Sequence, residues 1–538
     1  MVPVCRFLAG AAGAERVDVK KILIALATAG VGLSTALVAT PATAAAPQAP
    51  DYSPPAPEWT QCATLPAGIE CAFVTVPQDY DRPWGKKIKV AVSRKKATDL
   101  AHYQGAILFN PGGPGGSGLG YPVSMQTRLG AALAAQYDLI GFDPRGVGAS
   151  EPALRCDPTY SNPVRPDYVP GNLREELAWV KKAQGYSRAC DQKYGDLLRN
   201  MTTVDAAKDL DQIRKALGQQ QISYVGYSYG TYLGATYATL FPSKVRRLVL
   251  DSIVNPERVW YDANIDQNHA FEARQQDFYA WVAKYEPTYH LGTTPAEVEK
   301  AFNGARAKLK ATPAEGRVGP SELDDTYLAG GYLKSRWPFL ANALSKYVNN
   351  GDNAAMATAY ATYGDSSDDD NTLAVYSAVE CSDVRWPRDW GTWHRDWWES
   401  YRSAPFLSWG NAWFNAQCQS WPVPGKQPPR VNGKAIKNAL LFQDTKDAPT
   451  PYPGGVEMHK RFPTSRLVVM DGGGNHGLTG RGNACIDDIW KAYLTDGSLP
   501  ASLPGPDVHC PPFPDPVPPP ATLRVAPTPQ DDWAPGER

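Results

Sequence analysis

The pentapeptide Gly226-Tyr227-Ser228-Tyr229-Gly230 stands between a β-rich run at 222–225 and a helical stretch at 231–240. A serine between a strand and a helix, flanked two residues away on each side by glycine, predicts a nucleophile elbow. The reason is steric. A turn tight enough to lift the hydroxyl out of the sheet leaves no room for side chains at its flanks. The helix that follows sets the Tyr229 amide where negative charge would develop on a substrate oxygen. The motif therefore demands a sheet whose strand ends face a site, with helices packed against it.

The rest of the chain supplies such a sheet. Short apolar runs occur at 73–76, 87–92, 106–109, 137–142, 222–225, 248–250, 439–442 and 467–470. Each of the last six is followed within two residues by Gly, Asp or Asn. Helical patterns separate the runs, which predicts a mostly parallel sheet covered on both faces. Ligands belong at the carboxyl ends of such strands. The long gap between the runs at 248–250 and 439–442 has helical patterns at 301–310 and 327–348. It also holds eleven of the 16 Trp. Residues 257–430 are thus expected to form a mainly helical cap, with most of the Trp packing its core and one or two lining a substrate channel. The sheet-bearing core is expected at 59–256 and 431–510. Residues 45–58 read as a flexible leader, and 511–538, with ten Pro, as a surface tail.

Lys20 and Lys21 precede an apolar run at 22–39, and small residues follow at 42–46. That order predicts a cleavable export signal over 1–44, a single membrane anchor being the competing reading. Export suits the cysteines. Of the nine Cys, Cys5 falls in the signal and eight remain. Eight allow 105 pairings; nearest neighbours are expected, Cys62–Cys71, Cys156–Cys190, Cys381–Cys418 and Cys485–Cys510. The chain has 54 basic and 55 acidic residues. This balance argues against a nucleic-acid binder, and no membrane association is expected after cleavage. There are seven His and no H-E-x-x-H, so no zinc peptidase is indicated and no metal or cofactor is implied.

A serine nucleophile needs a base, and the base an orienting acid. Where an elbow is used in this way, the acid and then the base follow on later strands. His476, in Gly472-Gly473-Gly474-Asn475-His476-Gly477, directly follows the last run. His509 lies in the Pro-rich end region, and His459 on an expected helix surface. Two acids follow the run at 439–442: Asp444 at the strand end, fit for a turn, and Asp447 further into the loop, the preferred acid. The loop Asn110-Pro111-Gly112-Gly113-Pro114-Gly115-Gly116-Ser117-Gly118 can bring backbone amides close to a ligand. Gly112 and Gly113 join Tyr229 as oxyanion-hole candidates. Residues 113–118 also satisfy G-x-G-x-x-G, with Asp143 ending the next run, so a dinucleotide site is the rival reading. Arg145 is expected to be paired internally and to hold the oxyanion loop.

Together, the loop at 110–118, Phe142-Asp143-Pro144-Arg145-Gly146-Val147-Gly148, the elbow with Thr231-Tyr232-Leu233-Gly234, and Asp447-Ala448-Pro449-Thr450-Pro451-Tyr452 resemble the secreted bacterial tripeptidyl aminopeptidases. These form part of the proline-iminopeptidase branch of the α/β-hydrolases, and the likeness runs from about residue 59 to 510. It implies an α/β-hydrolase fold, with Ser228 as nucleophile, Asp447 as acid and His476 as base. It also implies release of short peptides, typically tripeptides, from free N-termini. Iminopeptidase relatives carry His-Gly-Gly-Pro-Gly where this chain has Pro111 first, which argues against single-proline release. A free α-amine is largely cationic at neutral pH, with a pKa of about 8, and its recognition needs a carboxylate at a fixed distance from the nucleophile. Glu380 and Asp383, around Cys381 in the cap, are the candidates; an ordinary ion pair with Arg385 or Arg388 competes. An exported esterase or lipase, a proline iminopeptidase and a non-catalytic cholinesterase-like binding module are the alternative functions.

Overall fold

The computed structural model describes residues 52–519; the expected signal at 1–44 lies outside them. The described chain builds a ten-stranded sheet: β1 (Thr60–Gln61), β2 (Glu70–Pro77), β3 (Lys87–Lys95), β4 (Ala106–Asn110), β5 (Asp138–Asp143), β6 (Ile222–Ser228), β7 (Val245–Ile253), β8 (Ala439–Asp444), β9 (Ser465–Met470) and β10 (Val508–Cys510). Their spatial order is β1-β2-β3-β5-β4-β6-β7-β8-β9-β10. The pairs from β1 to β5 through β2 and β3 are antiparallel, and every later pair is parallel. The eight expected runs coincide with strands, except that Tyr137 lies just before β5. The two-residue β1 and the three-residue β10 are too short to leave a periodic signal.

The central strands β4 and β8 are buried along their whole length. Side chains on one face join a cluster with Trp179, Leu210, Tyr232 and Leu233; those on the other join Met125, Tyr137, Ile486 and Trp490. Burial on both faces explains why these strands read as continuous apolar runs instead of alternating ones.

Between β7 and β8 the chain is helical, from Tyr261–Lys284 to Ser408–Asn415. Part of this segment has its own core, including Phe278, Phe302, Tyr327 and Leu340. Trp393, Trp397, Trp409 and Trp413 are almost fully buried, whereas Trp260 and Trp413 also reach the central cavity. One expected helix is divided. The pattern at 327–348 becomes Pro320–Tyr332, a 3₁₀ turn Lys334–Arg336, and Trp337–Asn350. Pro338, in the first turn of the last helix, lacks the amide and the clearance that a continuous helix would need there.

Four disulfides close the nearest-neighbour pairs Cys62–Cys71, Cys156–Cys190, Cys381–Cys418 and Cys485–Cys510. Among the described residues, no helix is long and apolar enough to cross a membrane.

Candidate active site

Ser228 ends β6 and begins the helix Tyr229–Leu240, with φ 55° and ψ −127°. A non-glycine residue is seldom held there, and such strain gathers where a side chain must be aimed. A Cβ on Gly226 would lie 2.3 Å from the Gly230 carbonyl oxygen. The elbow therefore closes only with glycine at that position.

The expected acid and the expected base come together. His476 Nδ1 lies 2.9 and 3.0 Å from the two carboxylate oxygens of Asp447. Both residues are almost fully buried. Thr450 caps the arrangement: its amide donates to Asp447 Oδ1 at 2.9 Å and its hydroxyl lies 3.4 Å from His476 Nδ1. Asp444 has the other task. Its carboxylate accepts from the Lys446 and Asn475 amides at 2.8 and 3.0 Å, tying the acid loop to the histidine loop. The histidine loop is also fastened to β7. Gly477 donates to Ser252 Oγ at 2.6 Å, and Leu478 and Thr479 donate to Asp251. Asp251 and Ile253 pair with Tyr227 and Ser228 across the β6–β7 ladder, so the loop that carries His476 is anchored on the strand that pairs with the one carrying Ser228. The rival histidines are engaged elsewhere. His509 pairs with Asp471 at an exposed position. His459 departs from its expected surface place: it is half-buried, with Ser465 Oγ 2.8 Å from Nδ1.

The glycine loop after β4 lies against the elbow. At Gly112 (φ +106°) a Cβ would fall 2.6 Å from the Tyr227 carbonyl oxygen and 2.8 Å from Ser228 Cβ. The two loop candidates nevertheless differ. The Gly112 amide already donates to Asn110 Oδ1 at 3.0 Å, so its contribution is close approach and not a donor. Gly113 lines the cavity.

One expectation about this region needs correction. Arg145 is paired internally, but with Asp209 at 2.6 Å and with the carbonyls of Gln78 and Asn200, not with the glycine loop at 110–118. Asp143 holds that loop, accepting from Ser117 Oγ at 2.6 Å and the Gly118 amide at 3.0 Å. The same bonds count against the dinucleotide site, the rival to the preferred reading of this loop. The acid that would face a ribose is 1% exposed and spent on the glycine loop.

A cavity of about 730 Å³ opens over the elbow. Ser228, Gly113, Thr450, Asn264, Trp413 and Glu380 are among its lining residues. Glu380 is 3% exposed. Tyr376 and Asn264 hydrogen-bond to it, yet burial pushes its carboxyl up to about 8. Asp383, one helical turn on, faces elsewhere. It accepts from the Thr203 amide and hydroxyl at 2.7 and 2.6 Å and from Trp260 Nε1 at 3.2 Å, and lines a separate cavity of about 200 Å³. Burial raises its pKa to about 6. Arg388 does not pair with either acid; its guanidinium bonds to the Gln419, Trp421 and Val423 carbonyls. Sequence reasoning missed Asn110, Asn264, Thr450 and Tyr376: Asn264 and Thr450 reach Glu380 and His476 from far along the chain, and the local partners of Asn110 and Tyr376, Gly112 and Glu380, leave no periodic signal.

Comparison with known proteins agrees with this architecture. Residues 105–327 match a family model described as alpha/beta hydrolase fold, and residues 404–510 one described as TAP-like protein. A tripeptidyl aminopeptidase of Streptomyces coelicolor is 45% identical over 476 residues, covering 86% of this chain and 87% of that protein. The serine protease Hip1 of Mycobacterium tuberculosis is 32% identical over 473 residues (83% and 90%). Carboxylesterase B of the same organism is 32% identical over 472 residues (83% and 89%). The elbow, the sheet order and these likenesses together place the chain: it is a serine hydrolase of the α/β-hydrolase fold and belongs to the tripeptidyl aminopeptidase family.

Proposed function

We propose that this protein is an exported serine exopeptidase that releases short peptides, of three residues, from free N-termini. The observation that carries the reading is Glu380, a buried carboxyl in the wall of the cavity that also holds Ser228. A hydrophobic acyl pocket has no use for such a group, but a peptide's terminal ammonium does. The ammonium supplies the positive charge that makes ionisation of Glu380 favourable. In this reading residues 257–430 form the cap that carries the amine-binding wall, and the hydrolytic core spans 59–256 and 431–510. Four disulfides and the basic, apolar, small order of 1–44 support export.

The chemistry follows from the arrangement. His476 accepts the Ser228 proton as Oγ attacks the scissile carbonyl. Asp447 holds the imidazole tautomer and stabilises the imidazolium. The amides of Tyr229 and Gly113 receive the oxyanion. His476 then protonates the departing peptide amine, and water hydrolyses the acyl-enzyme to free the N-terminal fragment.

The test is hydrolysis of an Ala-Pro-Ala anilide beside its N-acetylated form, a single-proline anilide and a short-chain ester, with Ser228→Ala as control. Cleavage confined to the free-amine tripeptide, and lost in Ser228→Ala, is expected. Turnover of the ester alone would favour the esterase reading, which the likeness to carboxylesterase B keeps in play. Release of proline alone would favour an iminopeptidase. No turnover of any of them would point to a binding module.

A further inference from the structure

We propose that Tyr332, a residue of the helical segment, is a positioning residue for His476, and that residues 511–516 form a strap that keeps it there. The inference rests on His476 as the base of Ser228, but not on the peptide specificity argued above.

Asp447 fixes one side of the imidazole. A second constraint comes from the helical segment between β7 and β8. The Tyr332 carbonyl accepts the His476 backbone amide at 2.9 Å. The Tyr332 ring meets the imidazole edge-on, with centroids 5.4 Å apart and planes at 89°. The neighbouring helix presses on the same loop: the Arg274 guanidinium packs so closely on Gly474 that a Cβ there would lie 2.2 Å from Arg274 Cζ. Tyr332 ends its helix just before the break imposed by Pro338, and Lys334 begins the 3₁₀ turn that follows.

Lys334 is where the Pro-rich segment takes hold. Its ammonium donates to the Phe513 carbonyl at 2.7 Å and to Asp515 Oδ1 at 2.9 Å. Trp281 Nε1 donates to the Pro516 carbonyl at 2.9 Å, and Asn483 Nδ2 to the Pro511 carbonyl at 2.9 Å. The segment begins next to Cys510, which is bonded to Cys485. A proline-rich extended chain makes no internal hydrogen bonds, so its carbonyls are open to side chains on either side. Here Asn483 belongs to the sheet-bearing part, and Lys334 and Trp281 to the helical part. One covalently rooted segment thus ties the two together beside the base, and the turn it grips is the one that carries Tyr332. Small displacements of a reacting group can cost on the order of a hundredfold in rate.

The readout is the second-order rate at which a small fluorophosphonate labels Ser228 in the full-length enzyme. This reaction needs the base but not the amine site. Tyr332→Ala is expected to slow labelling roughly tenfold or more, while Tyr332→Phe, which keeps the ring, stays within about twofold. Lys334→Met is expected to slow it roughly three- to tenfold, with kcat for whichever anilide or ester the wild-type enzyme turns over falling in parallel and KM little changed. If Lys334→Met does not fold, Trp281→Phe removes the other helical-side donor to the strap and should act in the same direction. Labelling of Tyr332→Ala at the wild-type rate, or a rise in KM with kcat intact in Lys334→Met, would overturn the proposal. Labelling of Ser228→Ala would instead sink the nucleophile assignment on which it rests.

Discussion

Replacing Glu380 with glutamine removes one charge and almost nothing else. Moving a carboxyl from an ordinary 4.5 to about 8 corresponds to roughly 5 kcal/mol held against its ionised form. A bound α-ammonium offsets that cost, because the pair forms inside the protein, where water competes poorly. Removing one member of a buried, hydrogen-bonded charge pair costs about 2–5 kcal/mol, or roughly 30-fold to several-thousand-fold in kcat/KM. Glutamine keeps a carbonyl acceptor, so a loss of about a hundredfold is expected for the free tripeptide anilide. The acetylated anilide, which brings no charge, should be unaffected, and the preference for free over blocked N-termini should collapse. A linked proton provides a second readout. At pH 6 the free carboxyl is protonated and the substrate amine is already cationic. Forming the ion pair therefore expels about one proton. Titration calorimetry on Ser228→Ala, in two buffers of different ionisation enthalpy, should detect that proton, and the additional Glu380→Gln change should abolish it. An unchanged preference for free N-termini in Glu380→Gln would refute the assignment of Glu380 as the amine-binding group.

The same burial makes a prediction about stability. Glu380 and Asp383 both have folded-state pKa values raised above the ordinary range, to about 8 and about 6, so the folded protein binds their protons more tightly than the unfolded chain. Their contribution is therefore greatest in acid and is lost as pH rises from about 4 through 8. Urea unfolding across that window should show Glu380→Gln with the flatter profile; parallel profiles would contradict it. Gly112→Ala should reduce kcat by roughly a hundredfold, because its Cβ would fall inside contact distance of the Tyr227 carbonyl oxygen and Ser228 Cβ; steady-state kinetics beside a thermal melt would check it. Asp447→Asn should lower kcat by about 10⁴ with little loss of stability, whereas Asp444→Asn should chiefly lower stability, since Asp444 binds two loop amides and not the imidazole. Comparable kcat losses in the two variants would show that the acids had been assigned wrongly.

Much of this protein was readable without coordinates, wherever the cause is local. The elbow at Ser228 is a steric demand satisfied within five residues. The buried strands announce themselves as apolar runs because both of their faces are covered. His476 follows directly from the strand before it, and the disulfides join each cysteine to the nearest one in the chain. What depended on tertiary structure was the choice between neighbours of equal chemistry. Glu380 and Asp383 lie one helical turn apart on a single buried helix. One reaches the cavity and the other Thr203 and Trp260, a difference set by what packs against each side of that helix. Gly112 and Gly113 are adjacent, yet Asn110 takes only the amide of Gly112. Asp143, and not Arg145, grips the glycine loop at 110–118, since Asp209 lies within reach of the guanidinium. Tyr332 carries no sequence signal at all: it meets His476 only because a helix stops at the right place and the chain folds 144 residues back on itself. Such choices are made by contacts between residues far apart in the chain, and a pattern that repeats every two or every 3.6 residues has no means of encoding them.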